Sequence, residues 1–284
     1  MNHASTFASH LPAYLDQLPC VKPAWSDFTS VIDVAKRTIQ ENRAADNQFV
    51  EVEMRFGKRT PQGFQAGLSA VAFQTLEARF DTGRDWARVL DWHNVTVFHH
   101  SNVSGTRTIR SETTFPPGCD ESKRTECTYK DLIVNHDYRT LSLSADGSAG
   151  FDVRVAINVE NAVPQADVPN EVIPSSVHLK VRKCYFYAPT GSEAPVWCYM
   201  LTKRWMGEDL QQVAQRKLHE PPIYEVELEC LSPEYLLSKD SAHVATKMLS
   251  KACDILEIVD YTLHDHHSFI FEPAGTNMLW TRKK

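Results

Sequence analysis

The chain has 284 residues, 42% hydrophobic and 23% charged, a composition that supports a sizeable core and excludes a disordered protein. Its formal charge of −6 excludes a long basic groove for a nucleic-acid backbone, but leaves room for a local basic cluster. No apolar run spans a bilayer, and the seven scattered cysteines, odd in number and without a CxxC pair, exclude a disulfide framework and a zinc ribbon.

Met1 to Cys20 lacks the basic start and apolar stretch of a secretory signal. Residues 1–25, rich in Pro, Ala and His, read as a loosely ordered lead-in, and residues 26–284 as a single domain. Val31, Ile32, Ala35 and Ile39 predict an amphipathic helix over Ser26–Arg43, with Ser26 as its cap. A strand is expected over Phe49–Gly57 and a helix over Ser69–Phe80. From Trp86 to Val134, short β-branched runs broken by Gly and Pro-Pro predict strands and turns. Further strands follow at Phe151–Glu160, Val177–Tyr187, Trp197–Trp205 and Ile223–Leu231, with a three-proline loop from Pro164 to Pro174. Ser232-Pro233-Glu234 opens a helical region, and Val244, Met248, Ala252, Ile255, Leu256 and Val259 form the stripe of a longer helix. There is no internal repeat.

The strands are unusual in the charge of their polar faces. Strict alternation puts Glu51, Glu53 and Arg55 on one side of the first strand, opposite Val50, Val52, Met54 and Phe56. The last strand repeats this with Glu225, Glu227 and Glu229. A third groups Asp152, Arg154, Asn158 and Glu160, and a fourth supplies His178, Lys180 and Arg182. One such strand alone is most simply a solvated sheet face. Glutamate is disfavoured in strands, however, and like charges on one face repel unless a cation sits between them. Carboxylates are the hard ligands that Mg²⁺ or Mn²⁺ prefers. Lys180, Arg182, Arg154, Arg110 and Lys130 offer the cations that would hold phosphate oxygens. Charged faces turned inward and apolar faces outward beneath helices would give a closed barrel with a polar lumen.

These stretches resemble a known family, the metal-dependent RNA triphosphatases of fungi, protozoa and some large DNA viruses, within the triphosphate tunnel metalloenzymes. Val50 to Gly57 resembles the family's first glutamate motif. Phe151 to Glu160, followed by Val163-Pro164, resembles its central strand, and Glu225 to Glu229 its last glutamate motif. The likeness runs in order from about Phe49 to Leu231. It implies an α+β fold: an eight-stranded antiparallel β-barrel, or tunnel, with a polar lumen and flanking helices. It also implies hydrolysis of the γ-phosphate of a 5′-triphosphate RNA end in mRNA capping, with Mg²⁺ or Mn²⁺ as cofactor.

By position, the resemblance makes Glu51, Glu53 and Glu229 the metal ligands and Glu160, Glu225 and Glu227 catalytic residues, Glu160 placing the water. Lys180 and Arg182 match its phosphate-binding pair, with Arg110, Lys130 and Arg154 as further phosphate contacts. Met200 stands where fungal members carry an acidic residue, while Thr202 is kept. The Trp-rich segment by which fungal enzymes dock on an RNA guanylyltransferase is not recognisable in Pro23-Ala24-Trp25. A guanylyltransferase partner therefore stays an expectation of the capping role. So does nuclear residence, with cytoplasm or a viral factory as alternatives. Two other functions fit the same residues: a tripolyphosphatase or nucleoside triphosphatase of the same superfamily, and a non-catalytic subunit that binds RNA ends.

Other features weigh less. His264-Asp265-His266-His267 reads as an exposed turn, and Asp91-Trp92-His93 and His99-His100 as surface or packing. A Cys-x5-Arg phosphate loop is excluded, because Arg124 follows Cys119 one residue too soon, with Asp120-Glu121 between them. No Gly-x4-Gly-Lys-Ser/Thr loop exists. Trp25, Trp205 and Trp280 read as packing, and Lys283-Lys284 as a solvated tail.

Overall fold

Every residue from Val50 to Met54 is buried, so the first strand, β1 (Gln48–Thr60), has no solvent face along this run even though it alternates charged and apolar side chains. A computed structural model shows why. It describes residues 22–42, 47–101, 108–115, 124–142, 150–164, 174–190, 192, 194–259 and 269–273. The apolar face of β1 lies under helices, and its charged face lines the inside of a barrel.

After β1 come β2 (Gly63–Ala66), β3 (Arg88–Ser101), β4 (Thr108–Phe115), β5 (Arg124–Ser142), β6 (Asp152–Ala162), β7 (Ser176–Tyr187), β8 (Trp197–Gly207), β9 (Ile223–Cys230) and β10 (Phe269–Pro273). The helices are α1 (Lys22–Asn42), α2 (Ala70–Thr82), α3 (Leu210–His219), α4 (Pro233–Ser238) and α5 (Ser241–Val259). Eight strands close a ring of antiparallel pairs in the order β1-β6-β5-β4-β3-β7-β8-β9, with β9 returning to β1. The expected eight-stranded antiparallel barrel is therefore present. The short β2 folds back on the end of β1, and β10 pairs with the end of β5. Closure leaves the ring without a free edge.

The hydrophobic core lies outside the ring. Phe28, Ile32, Ala35 and Ile39 of α1 and Met248, Ala252, Ile255 and Leu256 of α5 belong to the same buried cluster as Val52, Met54 and Phe56 of β1, Val155 and Ile157 of β6, and Val226 and Leu228 of β9. Phe73, Leu76 and Phe80 of α2 join it. Burying these side chains gives the ring its stability at about 1.5–3 kcal/mol each. It also fixes register, because a slip of one residue would turn the glutamates into the helices. Polar ties pin the helices in place: Asp81 of α2 accepts from Lys183 (2.7 Å) and from the Tyr185 hydroxyl (2.6 Å) on β7.

The elements differ from expectation in places. Ser26 does not cap α1; the helix already runs from Lys22, so Ser26 lies within it. Ser69 and Ser232 do cap α2 and α4, each accepting from a backbone N–H one turn on. The sequence reading did not include α3, capped by Asp209, because only Val213 of its residues is buried and no apolar stripe marks it. The short strands β2 and β10 were also outside that reading. No described helix is long and apolar enough to cross a membrane. Residues 1–21, the loop interior 165–173, Cys119, His264–His267, Trp280 and the terminal lysines lie outside the described residues.

Candidate active site in the barrel lumen

Directly opposed residues on antiparallel strands share a face, so the pairing register assigns the lumen. Glu53 lies opposite Glu229 and Arg55 opposite Glu227, which brings the two glutamate rows of β1 and β9 side by side. On the other flank, Glu51 lies opposite Asn158 of β6, and Glu160 lies opposite Lys130 of β5. Across β9, Glu225 faces Thr202 and Glu227 faces Met200 of β8; Thr202 then faces Arg182 and Arg204 faces Lys180 of β7. All eleven expected site residues therefore sit on the inner face of one ring: Glu51, Glu53, Arg110, Lys130, Arg154, Glu160, Lys180, Arg182, Glu225, Glu227 and Glu229.

Ion pairs cross-link this wall. The Lys130 ammonium sits 2.5 Å from Glu51 and 2.8 Å from Glu160, and Arg110 reaches Glu160 at 3.1 Å. Arg55 bridges Glu53 (3.0 Å) and Glu227 (3.1 Å). Arg182 meets Glu112 at 3.3 Å, and Arg204 meets Glu225 at 2.9 Å. The Asn158 amide donates to Glu51 at 2.9 Å. Arg154 stands apart: its Nε and Nη2 donate to the two oxygens of Asp137 (2.6 and 2.9 Å), and its guanidinium lies over the Phe64 ring. Arg204 and Glu112 were not among the sequence-expected site residues. The signal for both was strand alternation, since each lies two residues along from a residue already singled out, Thr202 and Arg110.

The acids divide into two kinds. Burial pushes Glu227 up, but Arg55, Lys180 and Arg182 together outweigh it and hold this carboxylate at about 2. Burial pushes Glu229 up to about 8, with the repulsion of Glu51, Glu53 and Glu227 added. Burial likewise raises Glu53 to about 7, where Glu51 and Glu227 repel it and Arg55 only partly compensates. Lys180 moves down to about 8 through burial and the charge of Arg182. Several buried donors have no partner among the described residues: Nε of Arg110, Arg182 and Arg204, and the Thr202 hydroxyl. A lumen holding unpaired guanidinium N–H groups beside crowded carboxylates is set up for an anion at one place and a cation at another.

The donor chemistry of Glu51, Glu53 and Glu229 fits a hard divalent cation, which would relieve the repulsion that raises Glu53 and Glu229. Among the described residues, no three or more acids, histidines or cysteines stand at metal-coordinating spacing, and Lys130 and Arg55 lie against Glu51 and Glu53. Loading a metal here therefore requires these two cations to give way.

No protein-family model matches the sequence, and no curated protein matches it. Solved structures do match. The S. pombe Pct1 RNA triphosphatase superposes with a TM-score of 0.52 at 13% identity, covering 81% of this chain and 93% of that one. This chain shares its tunnel fold. The same enzyme in complex with the Spt5 CTD gives 0.52 at 14% identity, covering 81% and 91%. The RNA triphosphatase domain of a trifunctional mimivirus mRNA capping enzyme gives 0.47 at 10% identity over 83% of this chain and 96% of that one, a likeness too loose to add to the argument.

Of the remaining sequence features, His93 is buried, with Asp91 O 3.0 Å from its Nδ1, as a packing residue would be. Trp25 donates to Thr246 and Trp205 to Glu220 O, so both are tied into the fold. Cys184 lies mid-strand and buried, with no helix N-terminus to activate it.

Proposed function

We propose that this protein is a polynucleotide 5′-triphosphatase, which removes the γ-phosphate from 5′-triphosphate RNA and leaves a 5′-diphosphate end, as in mRNA capping. The observation that carries the reading is the convergence of the β1 and β9 glutamate rows with the basic residues of β4, β5 and β7 inside one closed ring. A surface sheet would never need both. The tunnel fold shared with an RNA triphosphatase supports the choice of substrate class.

In this reading Glu51, Glu53 and Glu229 hold Mg²⁺ or Mn²⁺, which when bound supplies charge neutralisation at the phosphate. Arg110, Lys130, Lys180 and Arg182 clamp phosphate oxygens, whereas Arg154, engaged by Asp137, would reach a phosphate only by leaving that pair. The work is positioning and electrostatics, with little covalent chemistry asked of the protein. Held at about 2, Glu227 is too weak a base to take a proton from water. Its part is to fix Arg55. Glu160, bonded to both Arg110 and Lys130, sets those cations and places the attacking water. Glu225 does the same for Arg204. A guanylyltransferase partner and nuclear residence follow from the capping role alone.

Met200 favours one rival, a non-catalytic tunnel that binds RNA ends. It brings a thioether between Glu227 and Cys184 on the inner wall. Release of labelled phosphate from γ-labelled triphosphate RNA, measured with Mg²⁺ and Mn²⁺ beside tripolyphosphate and ATP, separates the readings. RNA turnover that disappears in Glu51→Ala and Glu229→Ala, with folding intact, is the expected result. Turnover of only the small molecules would assign a tripolyphosphatase or nucleotidase, and none with any substrate would leave the binding subunit.

A further inference from the structure

Two histidines on the inner wall play no part in this scheme. His99 lies near the end of β3 and His178 near the start of β7, both on the inner face, and their rings sit 4.5 Å apart, tilted by 51°. Register places them at one end of the lumen: Val97, on the same face as His99, lies opposite His178, and His99 lies opposite Arg110 of β4. The Nε2 of His99 is buried and makes no hydrogen bond among the described residues; nor do the Nε of Arg204 and the Nε of Arg110, which lies 4.0 Å from a Glu112 oxygen. Three unmet nitrogens converging beside a paired imidazole are costly unless a ligand satisfies them.

We propose that the His99–His178 pair, with Arg110 and Arg204, is a further anion subsite of the lumen that takes up a proton as a polyphosphate binds. The proposal rests on the triphosphate reading and extends it to the stretch of lumen between Glu160, which holds Arg110, and Glu225, which holds Arg204. Burial, then Arg110, Lys180, His100 and Arg204, hold His99 near 4; burial, then His99, Arg204 and Lys180, hold His178 near 3. Both rings are therefore neutral in the empty lumen at neutral pH. The acids on the facing strands do not offset this field, because Glu112 is engaged by Arg182 and Glu225 by Arg204.

A bound polyphosphate reverses the sign of the local potential. One proton from solvent then converts one imidazole of the pair to imidazolium, which donates to a phosphate oxygen through the nitrogen that was unmet. Two imidazolium rings this close would repel, so uptake stops at one. The linked consequence has a definite sign: the complex binds more protons than the free protein, so affinity rises as pH falls towards 4.

The test is calorimetric titration of the full chain with tripolyphosphate at pH 6 in buffers of different ionisation enthalpy, for the wild type and His99→Asn/His178→Asn. The ligand's own protonation cancels in the comparison. The wild type is expected to take up about one more proton per ligand, and between pH 6 and pH 5 its affinity should rise about tenfold more than the variant's. Side-chain ¹⁵N shifts of the wild-type histidines, read with and without tripolyphosphate, give the same answer without a variant: one ring should move to its imidazolium position. Equal proton uptake in both proteins, or unmoved ring shifts with ligand bound, would overturn the subsite and leave the triphosphate reading standing. Failure of tripolyphosphate to bind the wild type would overturn both.

Discussion

Burial and neighbouring carboxylates, three around Glu229 and two around Glu53, leave these acids partly protonated at neutral pH, at about 8 and about 7. The folded chain therefore binds more protons than the unfolded chain, whose glutamates titrate near 4.5, and metal-free stability must fall as pH rises through this window. Lys180 and Lys251, each lowered to about 8 by burial, give the opposite trend once they lose their protons, so the range to use is pH 6.5 to 7.5, above Asp254 at about 6. The melting temperature without divalent metal should drop over that range by about 3 °C or more, and Glu229→Gln should flatten the slope. Parallel slopes in the two proteins would show that Glu229 is not the group responsible. Lys180 gives a second residue-scale prediction. Among the described residues it makes no ion pair within 4 Å, so Lys180→Ala should unfold at the wild-type urea midpoint while losing about 10²-fold or more in turnover. A variant with wild-type turnover would remove Lys180 from the phosphate clamp.

At the scale of elements, the β1–β2 hairpin depends on a close approach. A Cβ at Gly57 would lie 2.1 Å from the carbonyl oxygen of Gln65, a backbone atom that has no room to move without parting β2 from β1. Gly57→Ala should therefore cost about 1–3 kcal/mol in urea unfolding. A neutral substitution would mean that β2 is not held against β1 in solution. The elements also show what the sequence could reveal. Alternation of Glu51 and Glu53 with Val50, Val52 and Met54, and of Glu225 and Glu227 with Val226 and Leu228, located both strands and both of their faces. Nothing local distinguished a solvated glutamate face from a lumen, because that depends on β9 returning to pair with β1 across more than 150 residues of chain, an estimate of loop closure that no short-range pattern carries. Helix α3 was invisible for the opposite reason: it buries only Val213 and so has no stripe to read. Arg204 was missed although it lies two residues along from Thr202, because its ion pair with Glu225 runs diagonally across β8 and β9 and exists only once those strands pair.

For the molecule as a whole, the usual arrangement is turned over: the apolar core lies outside the ring, against β1, β6, β8 and β9, and the charge lies within it. The two layers should respond separately. Leu256→Ala, fully buried between α5 and the outer face of the ring, should cost about 2–5 kcal/mol in urea unfolding yet leave turnover of the folded enzyme nearly unchanged. A large loss of turnover in that variant, with the ring still folded, would mean that the helices shape the lumen directly.

Both layers would serve the arrangement proposed above, in which the β1 and β9 glutamates share a cation. Electron paramagnetic resonance of Mn²⁺ titrated into the chain addresses it most directly, since free Mn²⁺ loses its six-line signal on binding. The account predicts that the wild type binds Mn²⁺ and that Glu53→Ala/Glu229→Ala, folded by circular dichroism, leaves the free signal undiminished. Equal binding by the two proteins would place the cation elsewhere and contradict the account.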